Sequence, residues 1–230
     1  EIVDGKIYAR GAMDDKGPTM AAYYAMKIIK ELKLPLSKRI KLILGTDEET
    51  AWRGIRYYFD KFPEQPTFGI VPDADFPLTY AEKGILGVTV SIETEENNEL
   101  LSFNAGLRAN MVPDEANAVL SDVSLKEAYL KYLKDNKYQG DAKIKDEQLH
   151  LTIVGKSAHG SMPEKGINAA FLLIEFFNKV GLNNEFTDLM NSYLLNDLNG
   201  KKIGIDHEDE ETGLVTINPG VFKSDENKFL

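Results

Sequence analysis

The sequence contains no cysteine among its 230 residues. This absence excludes a disulfide-stapled scaffold, a thiolate zinc site and a cysteine nucleophile. Long apolar runs are also lacking, since none approaches the ~20 residues that a membrane-spanning helix needs. A chain without disulfide chemistry fits a reducing compartment. We therefore expect a cytoplasmic protein with no membrane partner.

Basic residues are fewer than acidic ones. Lys and Arg number 27 against 37 Asp and Glu, which gives a formal net charge of -10. No stripe of basic residues interleaved with aromatic ones is present, and an acidic surface repels phosphate groups. We therefore expect no nucleic-acid partner. The opening segment, EIVDGKIYARG, has no basic stretch followed by an apolar one, so the sequence shows no signal peptide.

Acidic residues directly follow three short apolar segments. The motifs are YARGAMDDKGP with Asp14 and Asp15, GTDEET with Glu48 and Glu49, and PDADFP with Asp73 and Asp75. An acidic helix cap is the ordinary explanation of any one of them. Open α/β sheets bind ligands at the carboxyl ends of their strands, so three such placements in succession favour one shared site. Oxygen ligands gathered there, helped by His, suit a pair of divalent metal ions.

These three motifs, in this order, resemble those of the M20 metallopeptidase family, most closely its bacterial branch of PepV-type Xaa-His dipeptidases. The resemblance covers nearly the whole chain. It implies hydrolysis of dipeptide substrates with two divalent metal ions, either zinc or, as alternatives, manganese or cobalt. It also implies that Asp14 bridges the metals and that Glu49 and Asp73 bind one metal each. Glu48 is then the general base, and a cis peptide bond between Asp14 and Asp15 makes Asp15 structural at the site.

Strand and helix alternate in the first part of the chain, as in a parallel α/β sheet. Helices are predicted over residues 19–32 and 50–62 from their apolar spacing. Short apolar strands are predicted over residues 40–44 and 68–71. We therefore predict a parallel sheet over residues 1–85, and the resemblance implies that it is part of a zinc-peptidase catalytic domain.

The pattern changes after residue 85. Apolar and polar residues alternate at residues 88–93, which is typical of antiparallel strands with one exposed face. We predict an α+β lid domain over residues 86–230, with an antiparallel sheet and helices on one face. Ser124 is its expected helix N-cap, in a capping box with Glu127. Strands are predicted near residues 101–105, 116–120, 143–145 and 149–154, and helices over 124–134 and 166–180.

Two lid residues are candidates for substrate binding. His159 lies in the small-residue turn GKSAHGSMPEKGIN, where an imidazole can approach a ligand closely. A lone loop histidine is more often ordinary surface, and Asn110, in LRANMVPDEA, is ordinary turn chemistry. The resemblance implies that both contact substrate and that His159 stabilises the tetrahedral intermediate as an oxyanion donor. Asn218, in TINPG, is left as structural.

The chain departs from the family at both ends. No HxD motif precedes Asp14, and neither the family's substrate-binding Arg nor its terminal metal-binding His follows the lid. We expect a fragment that is inactive alone and is completed by the remainder of the same polypeptide. Two alternatives stay open: an N-acyl amino acid amidase (deacetylase or desuccinylase) of the same clan, and a metal-free binding or interaction domain. The sequences of the GTDEETAWRGI and PDADFP motifs argue against the amidase. The presence of Asp14, Glu48, Glu49 and Asp73 argues against a metal-free domain.

Overall fold

The mixed helix-and-sheet class is confirmed. The computed structural model describes residues 1–48, 51–74, 76–93, 99–225 and 228–229. Helices and antiparallel sheets occur together. The chain divides into two compact units, Glu1–Tyr80 and Ala81–Leu230. The roles of the two parts, as partial catalytic domain and as lid, stay predictions. Within the described ranges, no helix has the length and apolar character needed to cross a membrane.

The first unit opens with a hairpin that the sequence reading did not foresee. Strands β1 (Ile2–Val3) and β2 (Lys6–Ile7) pair antiparallel. The two residues between them, Asp4 and Gly5, have φ angles of 48° and 75°. Asp-Gly accepts two left-handed positions in succession, and such a turn matches the twist of the strands that it joins.

Two helices follow in this unit. Helix α1 spans Gly17–Glu31, with Pro18 in its first turn, where a missing N–H costs nothing. Helix α2 spans Arg53–Lys61. It begins later than the sequence predicts because Trp52 has a φ of 56°, a left-handed conformation that cannot continue a helix.

The strands predicted over residues 40–44 and 68–71 are not formed within this unit. Their side chains are exposed apart from the half-buried Ile43, and Leu44 and Val71 keep 69% and 84% of their surface in solvent. An apolar strand needs a neighbour for its backbone groups and cover for its faces. Neither is supplied here, so the parallel sheet stays a prediction for the whole protein.

The second unit is built on a four-stranded antiparallel sheet in the order β4-β5-β7-β6. Residues opposite one another share a face, as the row Phe103, Ala118, Leu151 and Ala142 shows. All four are buried. The alternation that predicts these strands therefore also identifies their buried face. The strands are β4 (Leu100–Ala105), β5 (Glu115–Leu120), β6 (Gln139–Lys145) and β7 (Gln148–Val154).

Two helices cover this buried face, α3 (Lys126–Asn136) and α4 (Ala169–Val180). Tyr129 donates its hydroxyl to the carbonyl of Thr152 at 2.7 Å, and Tyr132 donates to Leu172 at 2.9 Å. Burial raises the pKa of both hydroxyls. Each ring is thus packed in the core while its polar end keeps a partner.

The start of α3 corrects one prediction. Ser124 is not the cap, because a short 3₁₀ turn, Val123–Leu125, precedes the helix. Asp122 accepts the N–H of Ser124 at 2.8 Å instead. Hydrogen bonds from Ser124 lower the pKa of Asp122. The capping residue is therefore Asp122, which stands before the 3₁₀ turn and two residues earlier than predicted.

Smaller elements complete the second unit. Helix α5 begins after a capping box formed by Asn184 and Thr187. The ring of Phe186 stacks on that of Phe229, with centroids 4.9 Å apart, and this joins α5 to a three-stranded sheet. The remaining elements are α5 (Glu185–Leu189), β3 (Ile92–Glu93), β8 (Glu208–Asp209), β9 (Gly213–Leu214), β10 (Ser224–Asp225) and β11 (Lys228–Phe229).

A carboxylate organises the loop after α5. Asp197 is 8% exposed and accepts backbone N–H groups from Asn199 (3.1 Å), Gly200 (3.0 Å) and Lys202 (2.6 Å). Burial raises the pKa of this carboxyl, but the backbone hydrogen bonds outweigh burial, so the pKa lies below its ordinary value.

The depressed pKa of Asp197 predicts an acid-labile loop. A carboxyl with a lowered folded-state pKa stabilises the fold above its unfolded pKa of about 3.9, and this contribution is lost as pH falls through the folded value. Asp197→Asn should lower the Tm at pH 7, by about 2–4 °C for each kcal/mol lost. The difference from the parent chain should shrink below about pH 4. Thermal melts from pH 7 to pH 3 measure this, with the exposed Asp135→Asn as control. An equal difference at both pH values would contradict it.

Candidate functional site

The first acidic motif folds into a tight turn before α1. The turn over residues Ala12–Lys16 is closed by a hydrogen bond from Lys16 N to Gly11 O at 2.9 Å, and Asp14 and Asp15 within it have non-helical backbone angles. The Asp14–Asp15 peptide bond is cis, as the resemblance implies. Lys16 closes the turn, since its Nζ donates to the carbonyl of Arg10 at 2.9 Å. Asp14 is consequently presented on the surface, while its neighbour Asp15 is half-buried.

The two carboxylate oxygens of Asp15 differ in their hydrogen bonding. Its Oδ2 accepts the hydroxyl of Thr19 at 3.3 Å. Its Oδ1 is shielded from solvent and has no hydrogen-bond partner among the described residues. A buried carboxylate oxygen without a donor is costly, and such atoms commonly mark the place of a further partner. The structural role that the resemblance implies for Asp15 stays a prediction.

The second motif contains an ion pair that the sequence reading missed. Asp47, at a φ of 66°, accepts from Arg53 Nε at 2.6 Å and from its Nη2 at 3.3 Å. This contact joins the turn to the first residue of α2. The hydrogen bond with Asp47, and then its charge, raise the pKa of the Arg53 guanidinium. Asp47 is therefore occupied, and Glu48 beside it is exposed. Glu49 lies outside the described residues.

The third motif presents Asp73 on an exposed segment without regular secondary structure. A cis peptide bond joins Phe76 to Pro77 just beyond it. Asp73 thus follows no strand within this unit, because residues 68–71 form none.

The described carboxylates do not fit a metal pair as they stand. Across the described ranges, no three His, Asp or Glu side chains gather into a group that could hold a metal ion. Carboxylates repel one another unless a cation lies between them, so Asp14, Glu48 and Asp73 have no reason to converge alone. The assignment of Asp14, Glu49 and Asp73 as metal ligands, and of Glu48 as base, stays a prediction.

In the second unit, the two predicted substrate-binding residues come together. Asn110 lies in a turn between β4 and β5 that is closed by a bond from Met111 N to Arg108 O at 3.2 Å. Met111 forms an isolated antiparallel bridge with His159. Gly160 N donates to the carbonyl of Asn110 at 2.7 Å. Two loops that are distant in sequence are thus held side by side.

The partners of His159 indicate its tautomer. Nδ1 lies 2.7 Å from the hydroxyl of Ser161 and accepts the backbone N–H of Ser161 at 3.3 Å. Because that N–H can only donate, we assign Nδ1 as the acceptor and place the ring proton on Nε2. The exposed imidazole therefore presents an N–H donor. This is the group that an oxyanion-stabilising histidine needs.

Asn218, for which the sequence predicts only a structural role, lies beside these two loops. Its Nδ2 donates to the carbonyls of Ala109 (3.0 Å) and Met111 (2.9 Å), on either side of Asn110. The only signal in the sequence is an Asn-Pro-Gly turn, which gives no indication of a contact with a loop so far away.

Comparison with known proteins gives one family. The sequence pattern of the family described as "Peptidase family M20/M25/M40" matches residues 1–219. "Putative dipeptidase YtjP" of Bacillus subtilis is 45% identical over 239 aligned residues, which cover 99% of this chain and 51% of that protein. Proteins named "Putative dipeptidase" from Staphylococcus haemolyticus and Staphylococcus epidermidis are each 40% identical, over 97% and 99% of this chain and 50% and 51% of their own lengths. The chain thus spans about half the length of these relatives.

Proposed function

The chain belongs to the peptidase family M20/M25/M40, and from this membership we propose that the whole protein is a dipeptidase. The observation that carries the proposal is 45% identity, over nearly all of this chain, to the protein named "Putative dipeptidase YtjP". A hydrolase class follows from the family. The finer activity, on dipeptides, is the proposal.

We propose the following roles in the whole protein. Asp14, Glu49 and Asp73 are ligands of two divalent metal ions, zinc or alternatively manganese or cobalt. Glu48 is the general base that takes a proton from the attacking water, and Asp15 supports the turn. The described residues do not gather into a metal-holding group on their own, so these roles are proposed for the whole protein and not for this chain in isolation.

The second unit would supply substrate contacts. The assigned Nε2–H of His159 can donate to an oxygen that becomes negatively charged, and a donor aimed at such an oxygen stabilises the transition state. The amide of Asn110, on the adjoining turn, can donate to or accept from the peptide group of the substrate. Each residue is placed by backbone hydrogen bonds between the two loops.

The choice between dipeptides and N-acyl amino acids is testable with a matched pair of substrates. Glycyl-leucine and N-acetyl-leucine differ only by the α-amino group. We expect kcat/KM of the whole protein to be higher for glycyl-leucine by about 10²-fold or more, because a site built to pair with a polar group rejects an analogue that lacks it. A preference for N-acetyl-leucine would show an amidase instead. Hydrolysis of neither would overturn the proposal.

A further inference from the structure

The turn that carries Asn110 is fixed by hydrogen bonds to three successive backbone carbonyl groups. The carbonyls of Ala109 and Met111 each accept from Nδ2 of Asn218, at 3.0 and 2.9 Å. The carbonyl of Asn110 itself accepts from Gly160 N at 2.7 Å. The backbone on both sides of Asn110 is thus fixed by one amide side chain, and its own carbonyl is fixed by the loop of His159.

The orientation of the Asn218 amide is determined by these bonds. Both acceptors are carbonyl oxygens, so only the NH₂ group can face them. The other end, Oδ1, is shielded and has no hydrogen-bond partner among the described residues. A flipped amide, or an aspartate in this position, would direct an acceptor oxygen at two acceptor oxygens. The position therefore requires a donor with two N–H groups.

The segment that carries Asn218 is itself anchored. Ile217 N donates to Leu198 O at 2.8 Å. The carbonyl of Pro219 accepts from Nδ2 of Asn168 at 3.0 Å, and Oδ1 of Asn168 caps α4 by accepting Ala170 N at 3.0 Å. The N-terminus of α4 thereby fixes the segment that carries Asn218, and this segment fixes the turn that carries Asn110.

Close packing leaves the three segments little room to shift. A Cβ added at Gly220 would lie 2.6 Å from the carbonyl oxygen of Ala109. One added at Gly160 would lie 3.0 Å from Nδ2 of Asn218 and 3.1 Å from the carbonyl oxygen of Asn110. Glycine permits this close approach of backbones at both positions. Displacing Asn218 would consequently displace both loops.

We propose that Asn218 is a positioning residue that sets the placement of Asn110 and His159 together. It acts through the turn and touches no substrate. This inference rests on the proposed function for its catalytic consequence, but the bracing of the two loops does not depend on it. Misplacement of a substrate-contacting group by about 1 Å can cost 10²-fold in rate, so loss of the brace should be visible in kinetics.

The bracing is tested first in this 230-residue chain by amide hydrogen exchange. Asn218→Asp and Asn218→Ala should each speed exchange of the Gly160 N–H, by about tenfold or more, because local opening then becomes easier. The control is Asn183→Asp, since Asn183 is exposed and donates only locally, to Gly181 O. The core amide of Leu151 should keep its protection in every variant, which shows that the fold persists. Unchanged exchange at Gly160 in both Asn218 variants would overturn the brace.

The catalytic consequence is tested in the whole protein by a double-mutant cycle with His159→Ala. Asn218→Asp should lower kcat/KM about 10- to 10²-fold with most of the loss in kcat. In the His159→Ala background the same change should cost much less, because residues that act as a unit are not additive. Full additivity would overturn the positioning role. If the parent enzyme hydrolyses no dipeptide, the proposed function fails, whereas the exchange result still decides the brace.

Discussion

Replacing Glu48 with Gln in the whole protein should lower kcat for dipeptide hydrolysis by about 10²- to 10⁴-fold, the usual contribution of a general base. Metal content should stay unchanged. The reason is the adjacency of Glu48 and Glu49: in a turn only one of the two can point at the metal, so we expect the other, Glu48, to face the attacking water. Glutamine keeps the size of the side chain but cannot take a proton, so chemistry and not binding should suffer.

Two further variants make the Glu48 result specific. Glu31→Gln changes an exposed α1 carboxylate whose nearest cation is Lys27, 3.7 Å away, and it should leave kcat unchanged. Glu49→Gln should instead lower metal content, measured by elemental analysis of the purified protein. Metal lost from Glu48→Gln but retained by Glu49→Gln would mean that the two roles are reversed.

The 230-residue chain by itself should bind zinc weakly and hydrolyse no dipeptide. A catalytic zinc ordinarily has three protein ligands and a water, whereas the described residues gather no group of three. Carboxylates such as Asp14 and Asp73 repel one another when no cation lies between them, and this repulsion opposes formation of the site in the isolated chain. Calorimetric titration with zinc and an assay on glycyl-leucine, beside the whole protein, measure both expectations.

One outcome of the same experiment would contradict this prediction. Tight binding of two zinc ions with turnover would show that this chain, alone or as an assembly of copies, supplies the missing ligands. The circular dichroism spectrum should be recorded in parallel, because the second unit has its own core and should remain folded without metal.

The four-stranded sheet of the second unit could be predicted closely because its strands repeat a local pattern, whereas only Ile92–Glu93 is formed of the strand predicted from the alternation at residues 88–93. The alternation from Leu149 to Ile153 identifies both a strand and its buried face, and the structure buries Leu149, Leu151 and Ile153 as expected. Helix boundaries were less accurate. Helix α4 begins only at Ala169 because the cap is Asn168, and a capping contact depends on backbone angles that periodicity does not contain.

The candidate site could be predicted only in part, for a physical reason. Asn110 and His159 are predicted from the resemblance to the family, because their local sequence alone indicates only ordinary turn and surface residues. The role of Asn218 depends on a contact across 109 positions of sequence, and no local rule describes such a contact. The strands predicted at residues 40–44 and 68–71 are not formed in this unit for a related reason: a strand needs a neighbouring strand to pair with, and an apolar run does not specify which segment that is.

The strand order β4-β5-β7-β6 has a consequence for the sequence of folding events. The β6–β7 hairpin closes through only two residues, Asp146 and Glu147, both with positive φ, so it can form within microseconds. Pairing of β5 with β7 must wait until the intervening chain, including α3, has been brought together, because longer loops cost more entropy to close. The Asn218 brace joins parts of the chain still farther apart, so the turn that presents Asn110 should reach its final geometry at the end of folding.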